Sequence, residues 1–262
     1  MATNRPIVLC FSGHDPSGGA GLQADCEALI SHGCHASSVI TALTEQDTHN
    51  VKKLIPQSPQ AIINQAQTLL ADLPVQVFKI GLIGHVETAL AIHEIISQYP
   101  NIPVVLDPVL AAGGGTVLAT EALIEVILTK LLPLTTVLTP NTDEARQLTG
   151  LDDLNACGLR LLEYGCDYAL LTGTGEPTEH VRNSLYYQEK LWESYTWERL
   201  ANSYHGSGCT LSASIAGLMA QGLSPMPAIT EAQEYTWNTL KHAYRTGTGQ
   251  LNPNRFFWTE IE

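Results

Sequence analysis

Basic residues are scarce in this chain: 13 Lys and Arg stand against 26 Asp and Glu, for a net charge of -13. A protein that grips nucleic acid needs basic patches to displace counterions, so no nucleic-acid partner is expected. Any anionic ligand must instead be held by local devices: a metal ion, a helix N-terminus or backbone amides. The six cysteines (Cys10, Cys26, Cys34, Cys157, Cys166 and Cys209) include no pair at C-x-x-C spacing. Zinc ribbons and thioredoxin-like redox sites are thereby excluded. The single His/Cys cluster, His32, Cys34 and His35 in "SHGCH", reads as a helix-to-strand turn and offers no fourth metal ligand. No stretch reaches 18 consecutive apolar residues, so no membrane span is expected. The opening "MATNRPIVLCFSG" lacks the long apolar core and small-residue cleavage site of a signal peptide. A reducing cytoplasm is the expected location. The Walker pattern G-x-x-x-x-G-K-[ST] is missing, and "GHDPSGG" does not have the spacing of a dinucleotide fingerprint. Linkers, internal repeats and low-complexity tracts are missing too, so residues 1–262 are expected to form one domain.

What is present is a core. Apolar residues make up 44% of the chain and charged ones 15%, which excludes disorder. Short apolar runs alternate with helical patterns. "PIVLCFSG" reads as a buried strand and "GAGLQADCEALISHG" as a helix, with Leu22, Cys26, Leu29 and Ile30 on one face and Gly33 as its stop. The strand "HASSVITAL" follows, then a helix capped by Ser58 with Pro59 in its first turn. "VQVFKIG", "IPVVLDP", "TTVLTP" and "YALLTG" read as further strands, separated by helices. "TEALIEVILTKLLP" is predicted as a helix capped by Thr120. "NSLYYQEKL" and "WESYTWERL" read as an edge hairpin turning at Glu189 and Lys190, and a last helix is predicted over about 225–244. This alternation predicts a three-layer α/β/α fold around a central, mostly parallel sheet buried on both faces.

In such sheets ligands bind beyond the carboxyl ends of the strands. The unusual residues collect there: Gly13 to Gly19 after the first strand, Gln46 and Asp47 after the second, then Gly81 and Gly84, Asp107 before Pro108, Asn141 and Glu144, and Gly173 and Gly175. The stretch "YHGSGCTLSASIAG" sets Gly206, Ser207, Gly208 and Cys209 at the start of a helix. Converging amides and the helix dipole there would make an anion hole. Two glycines also suit a helix start that is simply close-packed, and the pattern fits both readings equally. Cys209, in the first turn, is expected to have a lowered thiol pKa. It could act as a nucleophile with His205 as base, accept a substrate proton, or be a buried structural thiol. Asp107 and Glu144 form a carboxylate pair of the kind Mg²⁺ takes beside phosphates. Glu144 and Asp25 equally suit dipole-favoured first-turn positions, Asp107 an Asp-Pro turn, and Gln46 a solvated loop amide.

Taken together, "SGHDPSGGAGLQADCEAL", "SVITALTEQDT", "KIGLIG", "VVLDPVL", "LTPNTDEARQLTG" and "HGSGCTLSASIAGLMAQG" resemble the hydroxymethylpyrimidine/phosphomethylpyrimidine kinases of thiamin biosynthesis, within the ribokinase-like superfamily. The resemblance covers nearly the whole chain in the right order, and the first and last motifs are the specific ones. It implies a ribokinase-like α/β/α domain, usually a homodimer. The implied reaction uses Mg²⁺ and ATP to phosphorylate 4-amino-5-hydroxymethyl-2-methylpyrimidine to its monophosphate and then to its diphosphate. Matched motif by motif, Asp25 and Gln46 would bond the aminopyrimidine, and Gly13 and Ala20 would line its pocket. Asn141 and Glu144 match the N-x-x-E motif that organises Mg²⁺ and phosphates. Gly206, Ser207, Gly208 and Cys209 match the anion hole, and Cys209 stands where many superfamily members carry a catalytic aspartate base.

One departure is visible. Relatives often read V-L-x-K-G-G-H where this chain has "LLTGTGEP", so Thr172, followed by Gly173, replaces a lysine that contacts phosphate. Lys79, Arg146 and Lys241 are candidates to replace its charge. "LAAGGGTVL" (110–118) reads as a flap that could exclude water on closing. The rival readings are pyridoxal kinase of the same fold, a cysteine hydrolase using Cys209 and His205, and a non-catalytic vitamer-binding relic.

Overall fold

The fold is taken from a computed structural model that describes residues 4–260. The first three residues of the stretch set apart from signal peptides therefore lie outside the described residues. Nine strands form one sheet in the order β3-β2-β1-β4-β5-β6-β7-β8-β9. Its strands are β1 (Ile7–His14), β2 (His35–Gln46), β3 (Val51–Pro56), β4 (Val77–Ile80), β5 (Val104–Leu106), β6 (Val137–Leu138), β7 (Tyr168–Leu171), β8 (His180–Tyr187) and β9 (Lys190–Glu198). The six strands from β2 to β7 in that spatial order pair in parallel, while β3, β8 and β9 are antiparallel additions at the two edges.

Parallel strands need crossovers, and the helices supply them on both faces. They are α1 (Gly21–Ser31), α2 (Pro59–Asp72), α3 (Val86–Ile96), α4 (Glu121–Val126), α5 (Thr142–Thr149), α6 (Leu154–Glu163), α7 (Ser207–Ala220) and α8 (Pro225–Lys241). β1 shows why its sequence is apolar throughout. Leu9 and Phe11 join the core shared with α2 to α6, while Val8 and Cys10 join the core shared with α1, α7 and α8. The second face is dominated by α7, ten of whose 14 residues are buried. Its run of Ala, Ser and Gly lets it lie between the sheet and two neighbouring helices at close range.

Local signals decide several boundaries. Gly33, at φ 68°, terminates α1 as its sequence position predicts. Thr120 caps α4 by accepting from the Leu123 amide, and Pro59 opens α2. Ser58 sits at the N-cap of α2, although its side chain makes no capping bond. Four differences from the sequence reading have physical causes. The α4 segment tightens through a π-turn at Ile127–Leu131 into a 3-10 turn at Leu132–Leu134 rather than running as one helix. α8 stops at Lys241, short of 244. β3 has no counterpart in that reading because its two lysines and exposed faces mask the alternation, as is usual for an edge strand. Its pairing with β2 extends β2 to Gln46, which is thus a strand-end residue and not a loop amide. Finally, the β8–β9 hairpin turns at Gln188 and Glu189, one residue earlier than expected. Both have positive φ (50° and 59°), as a two-residue turn matching strand twist requires.

Phe78 anchors the larger core, packing its fully buried ring on Phe11 and Tyr99. Phe78→Ala is expected to lower unfolding stability in urea by about 3–5 kcal/mol, and a loss below about 1 kcal/mol would mean that this core collapses around the gap.

Candidate active site

The carboxyl ends of the parallel strands open into a cavity of about 630 Å³. One wall is the start of α7. Its N-cap, Gly206, is left-handed at φ 78°, and a Cβ there would overlap the Gly19 carbonyl oxygen. Glycine is therefore required twice over, by backbone geometry and by space. No side chain caps this helix, so the amides of Ser207, Gly208 and Cys209 have neither intrahelical nor side-chain acceptors. They line the cavity with the positive end of the helix dipole behind them. The close-packed start and the open amides, alternatives from the sequence alone, occur together.

Opposite this turn lie two buried carboxylates. Glu144 belongs to a capping box: its amide donates to Asn141 Oδ1 at 2.9 Å, and its Oε2 accepts from the Asn141 amide at 2.9 Å. Oε1 accepts from the Leu110 amide at 3.3 Å. Burial, reinforced by the nearby charge of Asp107, pushes the Glu144 carboxyl up to about 8. Asp107 at the end of β5 is likewise raised by burial, to about 6, against the opposing charge of Lys79 and donors Ser212 and Cys209. Two carboxylates that hinder each other's ionisation are the electrostatic condition that a divalent cation relieves. Among the described residues no cluster of three or more ligating side chains occurs. A metal here must complete its shell with phosphate oxygens and water, which is the habit of Mg²⁺.

The Cys209 thiol corrects an expectation. Burial pushes it up to about 12, outweighing the charge of Lys79 and a bond from the Gly21 amide. It is a neutral donor to Asp107 rather than a thiolate. His205 is not its base: His205 Nε2 lies 2.7 Å from Asp15 Oδ2 and 3.0 Å from the Gln46 side-chain amide. The hydrolase pairing is therefore not formed. Burial alone would raise Asp15, but bonds from His205, the Ser17 hydroxyl and the amides of Ser17 and Ala20 outweigh it, and its carboxyl is lowered. Gln46 reaches the same His205 nitrogen with its Nε2, while its Oε1 accepts from the Thr44 hydroxyl at 2.9 Å.

Of the residues singled out from sequence, Gly13, Ala20, Gln46, Asp107, Asn141, Glu144, Thr172, Gly206, Ser207, Gly208 and Cys209 all line this cavity. Two do not. Asp25 is fully buried in α1, ion-paired to Lys79 at 2.8 Å and bonded by Ser12, and so is unavailable to a ligand. Gly173 packs beneath β8, its amide donating to Asn183 Oδ1 at 3.0 Å. The candidate substitutes for a lysine at Thr172 are committed elsewhere: Lys79 to Asp25, Arg146 to Glu176 at 2.8 Å, and Lys241 over the Trp237 ring. Arg199, which sequence reasoning missed because it stands in no motif, lines the cavity. Its guanidinium is consumed in bonds to the carbonyls of Gly173, Thr174, Glu176 and Thr178. The 110–118 segment is tied down by the Leu110 amide bonded to Glu144, Asn50 Nδ2 donating to the Gly114 carbonyl and Thr116 Oγ1 donating to the Val51 carbonyl.

With this geometry in view, the comparisons are specific. Residues 15–254 match the family described as phosphomethylpyrimidine kinase. A hydroxymethylpyrimidine/phosphomethylpyrimidine kinase of Synechococcus elongatus is 34% identical over 258 residues, covering 96% of this chain and 98% of the relative. A phosphomethylpyrimidine kinase of Clostridium difficile superposes with a TM-score of 0.77 at 29% identity, covering 88% of this chain and 98% of that one. An ADP complex of Bacillus subtilis pyridoxal kinase gives a TM-score of 0.87 at 25% identity, with 97% and 100% covered. The three-layer architecture expected from the resemblance is the one shared with these structures.

The raised Glu144 carboxyl has a signed consequence for stability. Its native form holds a proton that the unfolded chain has released, so stability falls as pH rises between about 4.5 and about 8 and is flat above. Between about pH 6 and pH 8 the loss should be on the order of 2 kcal/mol, and Glu144→Gln should abolish that slope in urea titrations. An identical slope in the variant would place the titrating group elsewhere.

Proposed function

The chain belongs to the phosphomethylpyrimidine kinase family, and from that premise we propose that it transfers the γ-phosphoryl group of ATP to 4-amino-5-hydroxymethyl-2-methylpyrimidine and then to the resulting monophosphate. The observation that carries this reading is the uncapped first turn of α7 facing the buried Asp107–Glu144 pair across one cavity. A phosphoryl group lying between them would meet amide donors on one side. On the other, Glu144 would hold Mg²⁺, which supplies charge neutralisation for the phosphates; Asp107, read from the sequence as a second metal carboxylate, faces the α7 turn and is left out of that shell.

Phosphoryl transfer needs mainly positioning and charge stabilisation. In the first step the acceptor hydroxyl oxygen bonds to the γ-phosphorus, the bond to the ADP oxygen breaks, and the hydroxyl proton must go to a base. A thiol near 12 is protonated at neutral pH and cannot take it. Asp107, titrating near 6 and facing the same turn, is suited to the task. In the second step the acceptor is a phosphate already largely ionised near neutral pH, and the base matters less. Gln46 would offer its side-chain amide to the aminopyrimidine from the cavity wall, while Gly13 and Ala20 leave room for the ring. Asn141 holds Glu144 in place and Thr172 borders the same region as a neutral contact.

The whole described chain would act as one kinase unit, since its nine strands share one sheet. A homodimer belongs to the same reading, supported by the exposed Leu43 and Ile55 on the β2–β3 extension. All six cysteines are free thiols and, among the described residues, no helix is long and apolar enough to cross a membrane; both support a cytoplasmic setting. A second reading, phosphorylation of pyridoxal, is favoured by the higher TM-score to the pyridoxal kinase.

ADP release measured with Mg-ATP and either hydroxymethylpyrimidine or pyridoxal separates these readings. The pyrimidine should be turned over at the higher kcat/KM; a preference for pyridoxal would reverse the assignment, and no ADP with either would leave a binding protein. Asp107→Asn should slow the first phosphorylation by about 10²–10⁴-fold and spare the second. Cys209→Ala should slow both steps by less than about 10-fold, well short of what loss of a general base costs. A selective loss of the first step in the Cys209 variant would restore the thiol as base.

A further inference from the structure

The largest fully buried side chain among the described residues is Arg255, in the C-terminal segment after α8, and it does not itself line the cavity. Its guanidinium is spent on three partners from two distant stretches of chain. Nη2 donates to the Gly19 carbonyl at 2.6 Å, Nε to Thr210 Oγ1 at 2.8 Å, and Nη1 to Glu27 at 2.9 Å. Thr210 in turn donates its hydroxyl to the carbonyl of Gly206 at 2.8 Å. Gly19 and Gly206 are the two residues whose backbones meet too closely for a Cβ. Arg255 thus grips both sides of that contact from behind: the carbonyl of the loop after β1, and through Thr210 the N-cap of α7.

We propose that Arg255 is a positioning residue for phosphoryl transfer, clamping the open amides of Ser207, Gly208 and Cys209 into a fixed orientation. Two observations make this more than a packing role. The cavity lining contains no lysine, and its one arginine, Arg199, is consumed by loop carbonyls. With no free cation in the lining among the described residues, stabilisation of a phosphoryl group there falls to the α7 amides, whose orientation Arg255 fixes. In addition, the planar fork of arginine can hold a carbonyl and a hydroxyl at fixed separation, which an ammonium cannot. Preorganised donors act on the transition state more than on the bound substrate, so their loss should appear in kcat.

The inference rests on the kinase reading for its catalytic consequence, and its test has an arm that does not. Arg255→Lys and Thr210→Val should each lower kcat by about 10- to 100-fold, the scale of a lost bond to a charged group. KM for the pyrimidine should stay within about threefold, because uniform binding is untouched. Thr210→Ser keeps the hydroxyl and should stay within about threefold of the parent in kcat. The double variant should be no worse than Arg255→Lys alone, since both changes break one chain of bonds. Independently of any turnover, hydrogen exchange at the amides of 205–210 should accelerate in Arg255→Lys and Thr210→Val, while exchange in α2 is unchanged. Equal acceleration in α2, or additive losses with KM rising in step, would reduce Arg255 to a general stabilising residue. Unchanged exchange at 205–210 would overturn the clamp outright. If the parent protein releases no ADP, the kinase reading fails, and the exchange comparison alone still decides whether the clamp exists.

Discussion

The contact between the Gly19 carbonyl and the α-carbon of Gly206 is the constraint on which the site depends. It joins the loop after the first strand to the start of α7, two segments nearly the whole chain apart. No residue with a side chain can stand at Gly206, both because φ is 78° and because the space is taken. The helix therefore begins without a capping side chain, and its first amides are left facing a cavity instead of being satisfied locally. Neighbouring bonds reinforce the junction. Asp15 holds the Ala20 amide and His205, and Arg255 holds Gly19 and Thr210.

An acidic protein that handles polyphosphates must keep its own charge from repelling them. This one does so by placement. Asp25 is neutralised by Lys79 beneath the site, and Asp15 by its bonds to His205, Ser17 and Ala20. Asp107 and Glu144 remain a buried pair without an ion-pair partner among the described residues, and burial raises both. That pair is where a cation would have most to gain. Lys79, set one layer down, shows how a buried ion pair can serve a site without touching a ligand. Its charge opposes the upward shift of both Asp107 and Cys209.

Much of this was legible in the sequence. The alternation of apolar runs with helical patterns identified the parallel sheet, and most of the site residues assigned along its rim line the cavity. Asn141 and Glu144, three apart at a helix start, form the capping box that their spacing suggests. What sequence could not reveal was depth. The resemblance gave Asp25, early in its helix, and Gln46, after the second strand, the same role, yet one is sealed beneath the sheet rim and the other faces the cavity. The same blindness misjudged Cys209, since a first-turn thiol is lowered by the dipole only if burial does not outweigh it. Arg255 and Arg199 belong to no motif, and their roles arise from partners tens to hundreds of residues away. Edge strand β3 was hidden by lysines that suit an exposed edge.

The central claim is that the first amides of α7 hold the transferring phosphoryl group. A crystal structure with Mg²⁺, ADP, fluoroaluminate and hydroxymethylpyrimidine tests it most directly. The account predicts the planar fluoroaluminate within hydrogen-bond distance of the Ser207, Gly208 and Cys209 nitrogens, with Gly206 unmoved against Gly19. A fluoroaluminate bound elsewhere in the cavity, with those nitrogens bonded to water or to a side chain, would contradict it.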